Sequence, residues 1–484
     1  MHEDELRLRR GYVTVDWAPE GPGVQKQIER YVRQKISSGD WAVGLKLPSQ
    51  RTLARQFGVN RSTVAAALSE LMALGVLESG RGGGTRIAAG GWALRVPAAP
   101  GWGAAMEEGG FRANSDIIQT INRLEFDPSY IRLGTGELSP DLYPRALSER
   151  TLARLGREIC SMNYLEPLGL RSLRETLCAR LNARGIAAGP ENVLITSGSL
   201  QALQLISMCL LRNGSLVLTE KPSYLRSLQV FQSAGLRLRG IAMDGEGLLP
   251  SALDGNAQAL YTIPTFHNPT GTVMSARRRQ EVMDRCTALR LPVIEDDAYG
   301  ELWLDETPPP ALKTLDNGGA VLYLGTVSKT LAPGLRVGWA VGPESVVARL
   351  GDVKMQVDYG ASSISQRIVE ELWRGGDYDR YLLSLREALR RRRALALSAL
   401  QTHFSSLADW NLPAGGFYIW LRLRQPVPTE MLFRRALSRR LLLNPGAVYD
   451  DGDNHALRLS YAYADEAALG PAIAALAEVV RGML

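Results

Sequence analysis

From about residue 114 to the end of this 484-residue chain, short apolar β-prone runs alternate with stretches of helical periodicity. The runs at 192–196, 215–218, 260–263, 292–294 and 321–324 set the rhythm. Strands alternating with helices make an α/β domain with a largely parallel sheet, and ligands of such sheets gather where the strands end. A chain of this length is also too long for one ordinary core, so two or more domains are expected.

The unusual chemistry lies at those strand ends. After the run at 321–324 come Thr326, Ser328 and a single lysine, Lys329, then a Pro-Gly turn and Arg336. A lysine at a strand end is ordinarily solvated. Flanked by hydroxyls and an arginine fork, its amine suits a Schiff base to an aldehyde that also carries a phosphate. The run at 192–196 leads through Ser197 into Gly198 and Ser199, where the free N–H groups of a helix start favour a phosphate. Tyr224 follows the next strand and suits stacking on a flat ring. In PTFHNPTG (264–271), Asn268 has an amide to donate to a phenolate-like oxygen. In EDDAY (295–299), the Asp296 carboxylate suits a pyridine nitrogen kept protonated, and Tyr299 suits the same ring oxygen as Asn268.

These pieces, in this order and approximate spacing, resemble the fold-type I pyridoxal-phosphate enzymes, the aspartate aminotransferase superfamily, over nearly all of residues 114–484. The resemblance implies pyridoxal 5′-phosphate as cofactor, with Lys329 as the Schiff-base lysine and Asp296 on the pyridine nitrogen. Asn268 and Tyr299 would meet the ring hydroxyl, and Tyr224 would stack on the ring. Gly198, Ser199, Thr326, Ser328 and Arg336 would hold the phosphate. Tyr164, in YLEPLG (164–169), matches the tyrosine this family lends to a neighbouring subunit, which implies a homodimer. Arg458, in NHALRLS (454–460), matches the arginine that grips a substrate carboxylate. Gly136, in LGTGELSPDLYP, and the 413–417 loop match segments lining the ligand space.

The first ninety residues differ in kind. Between 21 and 90 there are ten bases against four acids, a surplus equal to the +6 of the whole chain. A compact basic module of this sort points to nucleic acid. Val24, Ile28, Val32 and Ile36 mark one face of a helix ending near Gly39. Ser49 caps a second helix with Leu53, Ala54 and Phe57, and 58–60 is a tight turn. A third helix from Arg61 carries Val64, Leu68, Leu71 and Met72 inward and stops at Gly75; β-prone pieces at 76–77 and 85–87 flank a glycine-rich tip. That order describes a winged helix-turn-helix. The stretch LPSQRTLARQFGVNRSTVAAALSELMALGVLESGRGGGT is very similar to the DNA-binding domain of the GntR family. The resemblance implies Arg51 and Arg61 at phosphates or a guanine edge, Ser62 and Thr63 at the start of the recognition helix, and Arg81 and Gly82 at a wing tip in the minor groove.

Residues 89–112 turn to Gly, Ala and Pro, with Trp92 and Trp102 among them, and read as a linker between a 1–88 head and a 113–484 body. No run of eighteen apolar residues appears, and the chain start has no signal-peptide core, so a cytoplasmic protein without membrane spans is expected. Cys160, Cys178, Cys209 and Cys286 lack metal-like spacing and read as reduced core thiols. A GntR-type head on an aminotransferase-like body is the arrangement of the MocR/GabR family of bacterial transcription regulators. That likeness implies a regulator that binds promoter DNA and senses pyridoxal phosphate, or a small amine or amino acid, through Lys329. The alternative it leaves open is a working aminotransferase with an accessory DNA-binding head.

Overall fold

The computed structural model describes residues 15, 17–19, 21–37, 41, 44–79, 84–88, 114–159, 161–224, 229–451, 453 and 455–484. The chain divides into two compact units, Met1–Gly109 and Gly110–Leu484. Trp92, Trp102 and the rest of 89–112 lie outside the described residues, as do Cys160, Arg81 and Gly82.

In the first unit, α1 (Val24–Ser37) buries Ile28, Val32 and Ile36, the residues four apart in its sequence. Helix α2 (Gln50–Phe57) starts where Ser49 Oγ accepts from Thr52 N at 3.2 Å, and stops at Gly58, whose φ of 67° closes the last turn. Helix α3 (Arg61–Ala73) turns Val64, Ala67, Leu68 and Leu71 into the same core, with Met72 packed at its edge. Strands β1 (Leu77–Ser79) and β2 (Thr85–Ile87) pair antiparallel, one residue later than the apolar 76–77 step suggests, because Val76 is spent closing α3 through its N–H to Leu71 O. Tyr31 ties the core together, stacking on Trp17 at 5.0 Å and meeting Trp41 and Phe57 edge-on.

The second unit opens with a helix at Asp116–Leu124 and β3 (Ile131–Arg132). Its main sheet uses β4 (Val193–Thr196), β5 (Leu216–Lys221), β6 (Arg237–Asp244), β7 (Gly247–Leu248), β8 (Ala259–Thr262), β9 (Val293–Asp296), β10 (Val321–Thr326) and β11 (Gly338–Val341). Their order across the sheet is β4-β11-β10-β9-β8-β5-β6-β7. Strands β10, β9, β8, β5 and β6 run parallel; β11 is antiparallel to both neighbours, and β7 folds back on β6. Every residue of β4, β8 and β9 is buried, as expected for strands covered on both faces. A smaller antiparallel sheet follows, built from β12 (Ala408–Trp410), β13 (Tyr418–Leu423), β15 (Asn444–Pro445) and β16 (Ala456–Ser460). Strand β14 (Leu441–Leu442) pairs parallel with β3. None of the described helices is long and apolar enough to cross a membrane.

Candidate functional site

Register lines up the ends of three strands. Gly338 of β11 pairs with Thr196 of β4 on one side and Thr326 of β10 on the other. The helix Ser199–Cys209 begins directly above them. A Cβ on residue 338 would lie 2.7 Å from Gly198 C and from Ser199 N, so only glycine lets the helix start sit this low. Arg336, at φ 53°, turns its guanidinium back over Gly198, and Nη2 donates to Ser197 O at 2.7 Å. Thr326 Oγ1 donates to Val337 O at 2.8 Å and lies 2.8 Å from Ser328 Oγ. Backbone N–H groups at a helix start, a serine hydroxyl and an arginine fork thus converge on one place, an arrangement that suits a phosphate.

Asp296 ends β9 and is 3% exposed. Tyr261 Oη donates to its Oδ2 at 2.8 Å, whereas Oδ1 is buried with no partner among the described residues. Burial pushes its pKa up to about 6; the Tyr261 hydrogen bond and the Lys329 charge pull against that rise. A buried carboxylate oxygen left unpaired is costly, so Oδ1 suits a ligand donor. Lys329 follows β10 by three residues, and its Nζ donates to Gly136 O at 2.7 Å.

Asn268 is buried and followed by a cis peptide to Pro269. Its Oδ1 accepts from Arg458 Nη1 at 2.8 Å, so Nδ2 is the atom left to donate to a ligand oxygen. Arg458 itself comes from β16, is 5% exposed, and gives Nη2 to Gly134 O at 2.6 Å. Its guanidinium carbon sits 4.2 Å from the Tyr418 ring centre and 4.9 Å from that of Tyr449. Tyr299 Oη and Tyr418 Oη are 2.8 Å apart. Burial raises the phenol pKa of Tyr224 and of Tyr299, so both remain protonated near neutrality.

Direct contacts therefore join Lys329 to Gly136, and Asn268 to Arg458; Tyr224 N donates to Asn268 O at 3.2 Å. Tyr164 stands apart: it is 78% exposed and packs on Tyr359 at 4.8 Å. Sequence reasoning did not single out Tyr261, Tyr418 or Tyr449. Tyr418 directly follows the 413–417 loop, and that adjacency was the one usable signal; Tyr261 lies within the 260–263 run but nothing there sets it apart, and Tyr449 comes from a segment with no local mark.

On the first unit, Arg51 and Arg61 are exposed at the starts of α2 and α3, with Ser62 exposed and Thr63 half-buried beside them. Asn60 makes no side-chain cap on α3, which leaves first-turn N–H groups for an anion.

Known proteins resemble both units. The family described as aminotransferase class I and II matches residues 128–476, and the bacterial regulatory proteins of the gntR family match 24–87. YisV of Bacillus subtilis (strain 168), an uncharacterized HTH-type transcriptional regulator, is 48% identical over 467 residues, covering 95% of this chain and 96% of that protein. The HTH-type transcriptional regulator NorG of Staphylococcus aureus (strain N315) is 32% identical over 426 residues, 87% of this chain and 96% of NorG. Among solved structures, a kynurenine aminotransferase of Pyrococcus horikoshii, crystallised with PMP, superposes with a TM-score of 0.72 at 30% identity, covering 77% of this chain and 95% of that one. The alpha-aminoadipate aminotransferase LysN of Thermus thermophilus, complexed with N-(5'-phosphopyridoxyl)-L-leucine, gives 0.73 at 31% identity, covering 79% and 98%.

Proposed function

We propose a function for this chain from the family it belongs to, the class I and II aminotransferases, here carrying a gntR-family regulatory domain at its head. It is a transcriptional regulator with an aminotransferase-like body, of the MocR/GabR type. In our reading it binds promoter DNA through residues 1–88 and takes pyridoxal 5′-phosphate in the body, residues 113–484. Its DNA binding responds to that group, or to a small amine or amino acid that meets it.

The residues fit the group on one observation above all: the buried Asp296 Oδ1 has no hydrogen-bond partner among the described residues, while the Lys329 charge lies near enough to lower the pKa of the same carboxyl. When bound, the group supplies an aldehyde that condenses with a primary amine, releasing water, and a ring that draws electron density from that carbon. Lys329 Nζ is the amine. Asp296 holds the ring nitrogen, and its ionised form keeps a proton there. Asn268 Nδ2 and the Tyr299 hydroxyl donate to the ring oxygen, and Tyr224 covers one ring face. Gly198, Ser199, Thr326, Ser328 and Arg336 hold the phosphate, with Tyr164 contributing across a homodimer. Arg458 orients Asn268 and receives an effector carboxylate; Gly136, whose carbonyl accepts from Lys329, lines the space that an effector occupies. On the head, Arg51, Arg61, Ser62 and Thr63 meet the duplex, with Arg81 and Gly82 in the minor groove. The protein works in the cytoplasm, where its DNA is.

An absorbance titration of the purified protein with pyridoxal phosphate and candidate amines, run beside a shift assay on its own upstream DNA, tests this reading. A colourless protein that rejects the cofactor refutes the body assignment. The presence of Lys329, Asp296 and Arg458 together favours a second reading, an aminotransferase with an accessory head. Turnover of amino and keto acids at about 1 per second or more, without promoter binding, would select it.

A further inference from the structure

The backbone carbonyls on either side of Thr135 touch the site. Arg458 Nη2 donates to Gly134 O at 2.6 Å, and Lys329 Nζ donates to Gly136 O at 2.7 Å. Between them Thr135, 1% exposed, donates from Oγ1 to Glu125 Oε1 at 3.0 Å. Neither glycine has room for a side chain. A Cβ on residue 134 would lie 2.1 Å from Asn444 Oδ1, and one on residue 136 would lie 2.5 Å from Tyr418 Oη. The strip is also pinned upstream, where Leu133 N donates to Leu442 O and Leu133 O accepts from Ser460 N. Backbone wedged in this way does not absorb a lost partner by local relaxation; it shifts as a unit.

Glu125 caps the C-terminus of the helix Asp116–Leu124, its N–H on Ile121 O, and Ile121 is buried in the body core. That helix is the first described element after the 89–112 linker. We propose that the 134–136 strip reads the occupancy of the site, and that Thr135 and Glu125 are positioning residues that pass its displacement to this helix and so into the linker. The inference rests on the function proposed above and adds the route by which the site acts.

Both cations that face a ligand are donors to the same strip. An amine engaged by the cofactor gives up its bond to Gly136 O. A carboxylate drawn to Arg458 competes with Gly134 O for Nη2. Either event removes a charge-assisted hydrogen bond from one element, so two chemically different ligands bias the same piece of backbone. Coupling between sites requires such a differential contact.

The test is hydrogen–deuterium exchange at the amides of 117–125 in the full chain, with and without pyridoxal phosphate, read beside the absorption band. In the wild type the added group should speed exchange there by about fivefold, the worth of one hydrogen bond. Thr135→Val and Glu125→Ala should keep the band and lose the response, while Thr135→Ser keeps both. Unchanged exchange in a wild type that has developed the band overturns the relay. So does a full response in Thr135→Val, and so does loss of the band in both variants, which would make these residues part of cofactor retention. A wild type with no band removes the underlying function as well, and is told apart by that absence.

Discussion

In the head, Arg51, Arg61 and Ser62 stand exposed at the starts of two short helices, separated by a few residues of one continuous motif. In the body, Asp296, Asn268 and Arg458 are buried on strands and loops up to 190 residues apart; Asn268 and Arg458 lean on each other for a hydrogen bond, and Asp296 leans on Tyr261. The difference teaches where each unit draws its free energy. Solvated arginines act on phosphates through a field that salt screens. Buried groups act through desolvated bonds that salt barely reaches but protonation does. The two proposed sites therefore carry separable sensitivities, one to salt and one to protonation.

The largest effect is expected at Lys329. Lys329→Ala should abolish the absorption band on adding pyridoxal phosphate, while DNA affinity of the cofactor-free chain stays within about twofold, because the head is a separate compact unit with its own core. Salt should do the converse. Between 50 and 200 mM, affinity for upstream DNA should fall by about 10³-fold through counterion release, with cofactor affinity nearly unmoved. Fluorescence anisotropy against salt measures the first, and the absorption titration the second; a flat DNA curve contradicts the assignment of the head.

Asp296→Asn should weaken cofactor retention by roughly 10- to 100-fold, the loss of a charge-assisted bond. The same change should stabilise the empty body at high pH. Burial holds Asp296 up at about 6, and Glu220 and Glu295 up at about 7, all above the ordinary carboxylate range. Their folded forms therefore hold protons that the unfolded chain has already released, so the stability of the empty body falls as pH rises from about 4 to 7. Asp296→Asn removes one share of that loss, on the order of 2–3 kcal/mol above pH 6 and nothing below pH 4. Thermal melts across pH check the sign; a variant less stable than wild type at pH 8 contradicts it. The smallest effect is Ser49→Ala, which strips the cap from α2 and should cost the head about 1 kcal/mol without touching the band.

The same contrast explains what the sequence made legible. Helices and hairpin of the head follow from four-residue apolar spacing, a serine cap and glycine stops, all local signals. The parallel strands of the body were legible as apolar runs because both faces are covered, though β5 continues three residues past its apolar run as Thr219, Glu220 and Lys221. Strand β11 was not, since Gly338–Val341 opens on a glycine just after the Pro-Gly turn and takes its place from antiparallel pairing between β4 and β10. Strand β6 hides for the opposite reason: it lies near the edge of the sheet, and its charged, mostly exposed residues (Arg237, Arg239, Asp244) carry no core pattern. Asp296, Lys329 and Arg458 could be picked from motif positions, but Tyr261 and Tyr418 act through contacts across 35 and 119 residues, which no local window contains, and Thr135 meets Glu125 through a turn of chain that no periodicity marks. The arginine run at 390–393 resembles a basic patch, yet Arg390, Arg392 and Arg393 are spent on Leu304 O, Asp141 and Asp305, and Arg391 on Glu387 and Glu466.

The central claim is that a group held at Lys329 changes how the head binds DNA. Anisotropy on labelled upstream DNA, at one fixed salt concentration, with pyridoxal phosphate titrated into wild type and Lys329→Ala, tests it directly. The account predicts an affinity change of about 5- to 150-fold in the wild type, tracking the growth of the absorption band, and none in the variant. A wild type whose band grows while its DNA affinity stays constant, or a variant that responds as fully as the wild type, would contradict it.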